Sequence, residues 1–135
     1  TVVTNDFVIM DYLSEHSTCQ IFHTGGMVRK RYRYSVGEMA TKIIKSMTFD
    51  VSFMSASSWD ARGVTTPDIE KIAVKQAALF SGRQSVLICD CSKFGQIATF
   101  VAFDLRELDL IISDTKLAKQ ACDDVRARNI ELKLV

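Results

Sequence analysis

Asp90, Ser92, Lys93 and Gly95 follow directly on an unbroken apolar run, Val86-Leu87-Ile88-Cys89. An apolar run of this kind suits a strand covered on both faces, and in open α/β sheets such strands present their carboxyl ends to the ligand crevice. Lys93 would then offer a cation at the rim of that crevice. The local alternative is that Asp90 caps a turn and Lys93 is a solvated loop lysine, because Asp and Ser favour turns through their own hydrogen bonds. Other polar groups also fall at or near predicted strands: Thr4 and Asn5, Thr24 to Gly26, Asp50, and Ser113-Asp114. In a parallel sheet the strand ends point one way, so these groups could share one crevice. The Gly25-Gly26 pair permits positive φ and close backbone approach, as a phosphate-cradling turn requires, although paired glycines also occur in plain turns. Lys93 or Arg29 could supply the cation for a phosphate.

Other chemistries find less support. Asp60 and Glu70 could act as acid or base, but turn formation and helix-dipole compensation account for them equally well. Neither His16 nor His23 lies beside an obvious strand-end nucleophile, so no Ser-His-Asp or Cys-His arrangement can be read. Cys89 and Cys91 are one residue apart, which is not a zinc or redox spacing, and no metal site or cofactor is expected. The run Arg29-Lys30-Arg31-Tyr32-Arg33-Tyr34 interleaves charge and aromatics as single-strand nucleic-acid platforms do. Charges on an exposed edge strand also keep that edge soluble, and this is the favoured explanation.

The elements that must position these groups alternate along the chain, which is the pattern of an α/β fold with a mostly parallel sheet flanked by helices. Strands are expected at 1–4, 18–23, 49–54, 85–89, 98–103, 110–113 and 130–135, with an extended hairpin or edge strand at 27–35. Helices are expected from an Asn5-Asp6 cap to Ser14, over 38–46, from a Thr66 cap with Pro67 in the first turn to Phe80, and over 116–128. The polar stretch from Ser55 to Thr66, with Trp59, Asp60, Arg62 and Gly63, reads as a long functional loop.

At 135 residues, 47% hydrophobic and 24% charged, the chain suits one domain with a real core. A net charge of +1 gives no nucleic-acid footprint over the whole chain. No apolar run approaches the roughly 20 residues that span a bilayer, and the four scattered cysteines suit a reducing compartment. A cytoplasmic protein with no membrane partner is expected. Thr1-Val2-Val3-Thr4 already reads as a strand, which suggests that the chain begins inside a longer fold.

Taken in order, the motifs are Thr1-Val2-Val3-Thr4-Asn5, Gly25-Gly26 with Arg29, Phe49-Asp50 with Phe53, and Gly63 with Thr65. Lys75, Asp90-Cys91-Ser92-Lys93-Phe94-Gly95 and Ile111-Ile112-Ser113-Asp114 follow. This succession resembles the C-terminal sensor domain of DeoR-type bacterial transcriptional repressors over essentially the whole chain. The resemblance implies a fold similar to ribose-5-phosphate isomerase and the CoA transferases, and a non-enzymatic domain that senses a phosphorylated sugar or related metabolite to control a sugar-catabolic operon. Carried over by position, Thr4, Asn5, Gly25, Gly26, Arg29, Asp50 and Lys93 would surround the effector, with Lys93 meeting phosphate or a sugar hydroxyl. It further implies a single sensor domain over 1–135, a homo-oligomer, and DNA contact only through a helix-turn-helix preceding Thr1 and absent here. A Gly-Thr-Thr-like phosphate loop would also precede Thr1, and Ser58 stands where the family carries glycine. The rival reading from another class is an isomerase-like enzyme acting on a sugar phosphate, and a third is an RNA-binding module built on Arg29 to Tyr34.

Overall fold

In the computed structural model, which describes residues 1–135, strands and helices alternate almost throughout. The elements in chain order are β1 (Val2–Thr4), α1 (Phe7–His16), β2 (Ile21–His23), β3 (Met27–Arg29), β4 (Tyr34–Val36), α2 (Glu38–Lys45), β5 (Phe49–Met54), β6 (Ser58–Asp60) and β7 (Gly63–Thr66). There follow α3 (Glu70–Ser81), β8 (Gly82–Ile88), β9 (Phe100–Asp104), β10 (Leu110–Ser113), α4 (Lys119–Arg126) and β11 (Glu131–Leu134). The main sheet runs β11-β10-β8-β5 with every neighbour parallel, and β1 pairs with β2, also parallel. The remaining strands form an antiparallel β3-β4 hairpin and an antiparallel β6-β7-β9 sheet. The architecture is the expected α/β one, with a parallel sheet flanked by helices.

Burial explains why β8 is central. Ser85, Val86 and Leu87 are buried in succession, and since successive side chains point to opposite faces, both faces of the strand are covered. Helix α3 packs on β5 and β8, while α4 packs on β11. A 16-residue apolar cluster that includes Leu87, Ile111, Val125 and Trp59 forms the main core. A smaller cluster joins β4, α2 and α3 through Tyr34, Val36, Ala40, Ile44, Val74 and Ala77. Helix α1 buries no residue; Asp6 caps it by accepting from the Val8 and Ile9 N–H groups at 2.8 and 3.0 Å, and Phe7 stacks on His23 at 4.5 Å.

Three expectations are corrected. The 55–66 stretch is not a loop: its latter part is the β6-β7 hairpin, turned at Asp60, whose carboxylate accepts from the Arg62 N–H at 2.8 Å and pairs with its guanidinium at 2.7 Å. The strands were hidden because hydroxyls fill places normally held by apolar side chains. Ser58 is buried, with its Oγ 2.7 Å from Thr65 Oγ1, so a serine at this position fits the hairpin without a glycine. Helix α3 starts at Glu70, because Thr66 is committed to β7, and the Asp68 carboxylate instead accepts from the Glu70 N–H at 3.1 Å. Helix α4 starts at Lys119, since Asp114 holds 114–117 in a turn by accepting from the Lys116 N–H at 2.9 Å. Of the two forms expected over 27–35, the structure has the hairpin, interrupted by a 3₁₀ turn at 30–32 and with Tyr34 buried.

Candidate functional site

The loop after β8 is built by two carboxylates. Asp90 accepts from both the N–H and the Oγ of Ser92, while Asp114, at the end of β10, accepts from the Cys91 N–H at 2.6 Å. Those contacts outweigh desolvation and hold the carboxyls of Asp90 and Asp114 below the usual carboxylate range. The turn explanation is therefore right for Asp90, and the same turn carries Lys93. Lys93 forms no ion pair and lines an open cleft of about 430 Å³ with Ser57, Ser58, Ser92 and Gln96. Phe94 packs edge-on against the buried Trp59 at 5.0 Å, and the Gly95 N–H donates to the Trp59 carbonyl at 2.9 Å, so the β6-β7 hairpin fixes the far end of the loop.

Thr4, Asn5, Gly25 and Gly26 gather at the carboxyl end of the β1-β2 pair. The Thr24 N–H donates to the Thr4 carbonyl at 3.0 Å, and Asn5 bridges to β4 by donating from Nδ2 to the Ser35 carbonyl at 2.7 Å. Gly26 adopts φ +109°, and a Cβ there would lie 2.6 Å from the Val36 carbonyl oxygen, so this turn admits only glycine. Arg29 and Asp50 do not join these residues as free ligands. Arg29 donates from Nε and Nη2 to Asp68 at 3.2 and 3.4 Å, which makes its guanidinium an internal partner. Asp50 lies near the amino end of β5, away from the carboxyl-end loops, almost wholly exposed and 3.9 Å from Arg83. Convergence on one crevice fails for Asp50 because its place within the strand, rather than after it, puts it at the wrong end of the sheet.

Two lysines of α3, Lys71 and Lys75, were not foreseen as site residues. Spaced by four, they share one helix face, separated by roughly one turn, about 6 Å. Lys75 Nζ donates at 2.5 Å to the carbonyl of Ser55, just past β5, and Lys71 Nζ sits 4.2 Å from the Tyr34 ring centroid. Burial, and then repulsion by Lys71, push the Lys75 ammonium down to about 8; burial also lowers Lys71, against the pull of Asp68 and Asp6. Their spacing was visible in the sequence, but lysines four apart on a helix ordinarily mark a solvated face. Cys89 is no nucleophile here, because burial and nearby Asp90 push its thiol up to about 12.

Asp68 is the hub that fixes α3 against the β3-β4 hairpin. Burial alone would raise its carboxyl, but the Glu70 N–H, Arg29 and the Tyr34 hydroxyl together hold it below the usual range. Asp68→Ala should cost roughly 1–3 kcal/mol by stranding those donors. A depressed carboxyl contributes stability that is present above its unfolded value and lost as pH falls through its folded one. Urea unfolding of the protein and of Asp68→Asn should therefore differ fully above the usual carboxylate range and converge only as pH falls below that range through the depressed folded value; a pH-independent difference would exclude the charged role.

No group of three or more His, Cys, Asp or Glu side chains gathers as metal ligands, and no helix is long and apolar enough to cross a membrane. A family model described as the DeoR C terminal sensor domain matches residues 1–115. The chain is 50% identical over 121 residues to an uncharacterized HTH-type transcriptional regulator of Escherichia coli, covering 90% of this chain and 48% of that protein. It is 45% identical over 134 residues to an uncharacterized HTH-type transcriptional regulator of Haemophilus influenzae, covering 99% and 52%. A lactose phosphotransferase system repressor of Staphylococcus epidermidis is 27% identical over 116 residues, covering 84% and 46%. The chain spans about half the length of these curated relatives.

Proposed function

The chain belongs to the DeoR C-terminal sensor domain family, and from that membership we propose that it binds a phosphorylated sugar or a closely related metabolite on behalf of a transcriptional repressor of a sugar-catabolic operon. The observation that carries this reading is the Lys93 cleft. A lysine with no protein carboxylate partner stands among Ser57, Ser58, Ser92 and Gln96 just beyond the carboxyl end of β8, where open α/β sheets take their ligands. An ammonium for the phosphate, and hydroxyls and an amide for sugar hydroxyls, suit such an effector. Thr4, Asn5, Gly25 and Gly26 form a second rim at the carboxyl end of β1-β2 and are proposed to contribute backbone and side-chain polar groups to the same ligand.

The relatives' names support a role in transcription, and that of the lactose phosphotransferase system repressor supports a sugar-linked signal. The whole protein is proposed to pair this single sensor domain with a helix-turn-helix outside residues 1–135, to contact DNA only through it, and to act as a homo-oligomer in the cytoplasm. Of the three bases that could be nominated for the isomerase alternative, two are disfavoured, since Asp60 is paired with Arg62 and Asp50 lies at the opposite end of the sheet; the third, Glu70, stands in the first turn of α3. Incubation with pentose and hexose phosphates is expected to give saturable binding, read by calorimetry, with no isomerised product by NMR. Turnover would overturn the sensor reading, as would the absence of binding.

A further inference from the structure

We propose that one face of the main sheet, around Phe53 and Ile88, is the docking surface for a helix from the segment that precedes Thr1 in the whole protein, and that the same segment pairs a strand with the open edge of β5. This does not depend on the sugar-phosphate reading.

The first argument is the contrast between the two faces of the sheet. Side chains alternate along a strand, and the parallel register sets Met54, Leu87 and Ile111 level on one face and Phe53, Val86 and Leu110 level on the other. On the first face Ser52, Met54, Ser85, Leu87, Ile111 and Ser113 are all buried, and Leu79 of α3, Val125 of α4 and Phe103 of β9 join its apolar residues in one cluster. On the second face Phe53 is 66% exposed, Ile88 44% and Val51 37%, although all three are apolar. Val86 is hidden there between its level neighbours Phe53 and Leu110, while α3 and α4 lie on the opposite face. Parallel sheets occur almost only with both faces covered, so an apolar face of this kind calls for a cover. The apolar strip ends at β11, which places Glu131 and Lys133 on the same face, level with Leu110 and Ile112. Three strands about 4.8 Å apart, β5, β8 and β10, present a strip about 10 Å wide, the width of one helix.

The second argument is the winding of the chain. A parallel crossover is right-handed, so the face it covers depends on the direction in which the chain steps across the sheet. From β5 to β8, β10 and β11 every step goes the same way, which puts α3, β9 and α4 on one face and leaves the other bare. Helices α1 and α2 pack on β1, β2, β4 and α3 instead. The edge of the sheet beside the apolar strip is also free. β5 is hydrogen-bonded to β8 alone, and no other backbone hydrogen bond reaches residues 49–54. A six-residue edge carrying Val51 and Phe53 invites wrong pairing unless it is covered. A strand on that edge brings the helix joined to it beside the bare face. The chain spans about half the length of its relatives, and the matching family model is of a C-terminal domain, which puts the remaining length ahead of residue 1. That length is enough for a strand and a helix, and it commits the occupant to the protein's own upstream segment.

The test uses the full-length protein, upstream segment included. Amide hydrogen exchange of the unmodified protein should be slow throughout 49–54, because a strand on the open edge engages the amides that β8 leaves free. Alternate amides exchanging at the rate of unpaired ones overturn the proposal, and this answer needs no variant. Photo-crosslinking then identifies the cover. Phe53→p-benzoylphenylalanine keeps an aromatic ring on the face, and irradiation should give an adduct of the chain's own mass that joins position 53 to residues ahead of Thr1. No adduct, or one confined to residues 1–135, means that no upstream segment lies on the face and overturns the proposal. An adduct of twice the chain's mass means that a second copy covers the face, and overturns it equally.

Discussion

Replacing Lys93 with alanine is expected to weaken binding of the phosphorylated effector by roughly ten- to hundredfold, since a charge-assisted hydrogen bond is worth about 1.5–3 kcal/mol. The turn that presents Lys93 does not depend on its side chain. Asp90 holds Ser92, Asp114 holds the Cys91 N–H, and Trp59 holds Gly95 and Phe94. Truncating a lysine that makes no ion pair should change unfolding free energy by no more than about 0.5 kcal/mol. Calorimetric titration beside urea unfolding separates the two effects. Equal affinity for the protein and the variant would remove Lys93 from the site.

The largest loss of stability is expected from Trp59→Ala. Trp59 is fully buried, is the bulkiest wholly buried side chain in the main cluster, and meets Phe94 edge-on. Emptying such a site costs roughly 3–5 kcal/mol, a large part of what an ordinary domain possesses. Phe94 lies one residue past Lys93, and the bridge between Trp59 and Phe94 ties the β6-β7 hairpin to the ligand loop. The variant should therefore lose effector binding along with stability, whereas Trp59→Phe should retain most of both. A Trp59→Ala protein that unfolds at the original urea midpoint would contradict this account of the loop.

Much of the fold was legible because apolar periodicity and caps act locally. The run before Asp90, the Asp6 cap and the stop of α3 before Gly82 each have a short-range cause, and the structure has them where the sequence puts them. The β6-β7 hairpin was not legible, because its inward positions include Ser58 and Thr65, whose hydroxyls satisfy each other only once the strands pair. The site divides in the same way. Lys93 and the glycine turn could be picked out from strand-end position, which is a property of the sequence near them. Arg29 and Asp50 could not be judged so. The engagement of Arg29 depends on Asp68, 39 residues away, and the exclusion of Asp50 depends on which end of β5 faces the loops. Lys75 stood in the motif succession but not among the site residues, because its bond to the Ser55 carbonyl exists only once α3 packs on β5 and β8.

The central claim, that this domain receives a phosphorylated sugar beyond the carboxyl ends of its parallel strands, is tested most directly by thermal unfolding of the full-length protein against pentose and hexose phosphates, each beside its unphosphorylated sugar. A true effector at a hundredfold excess over its dissociation constant should add about 2.7 kcal/mol and raise the melting temperature by several degrees. The rise should appear only with the phosphorylated member of a pair and should be lost in Lys93→Ala. No rise with any phosphorylated sugar, or an equal rise in the variant, would contradict the account.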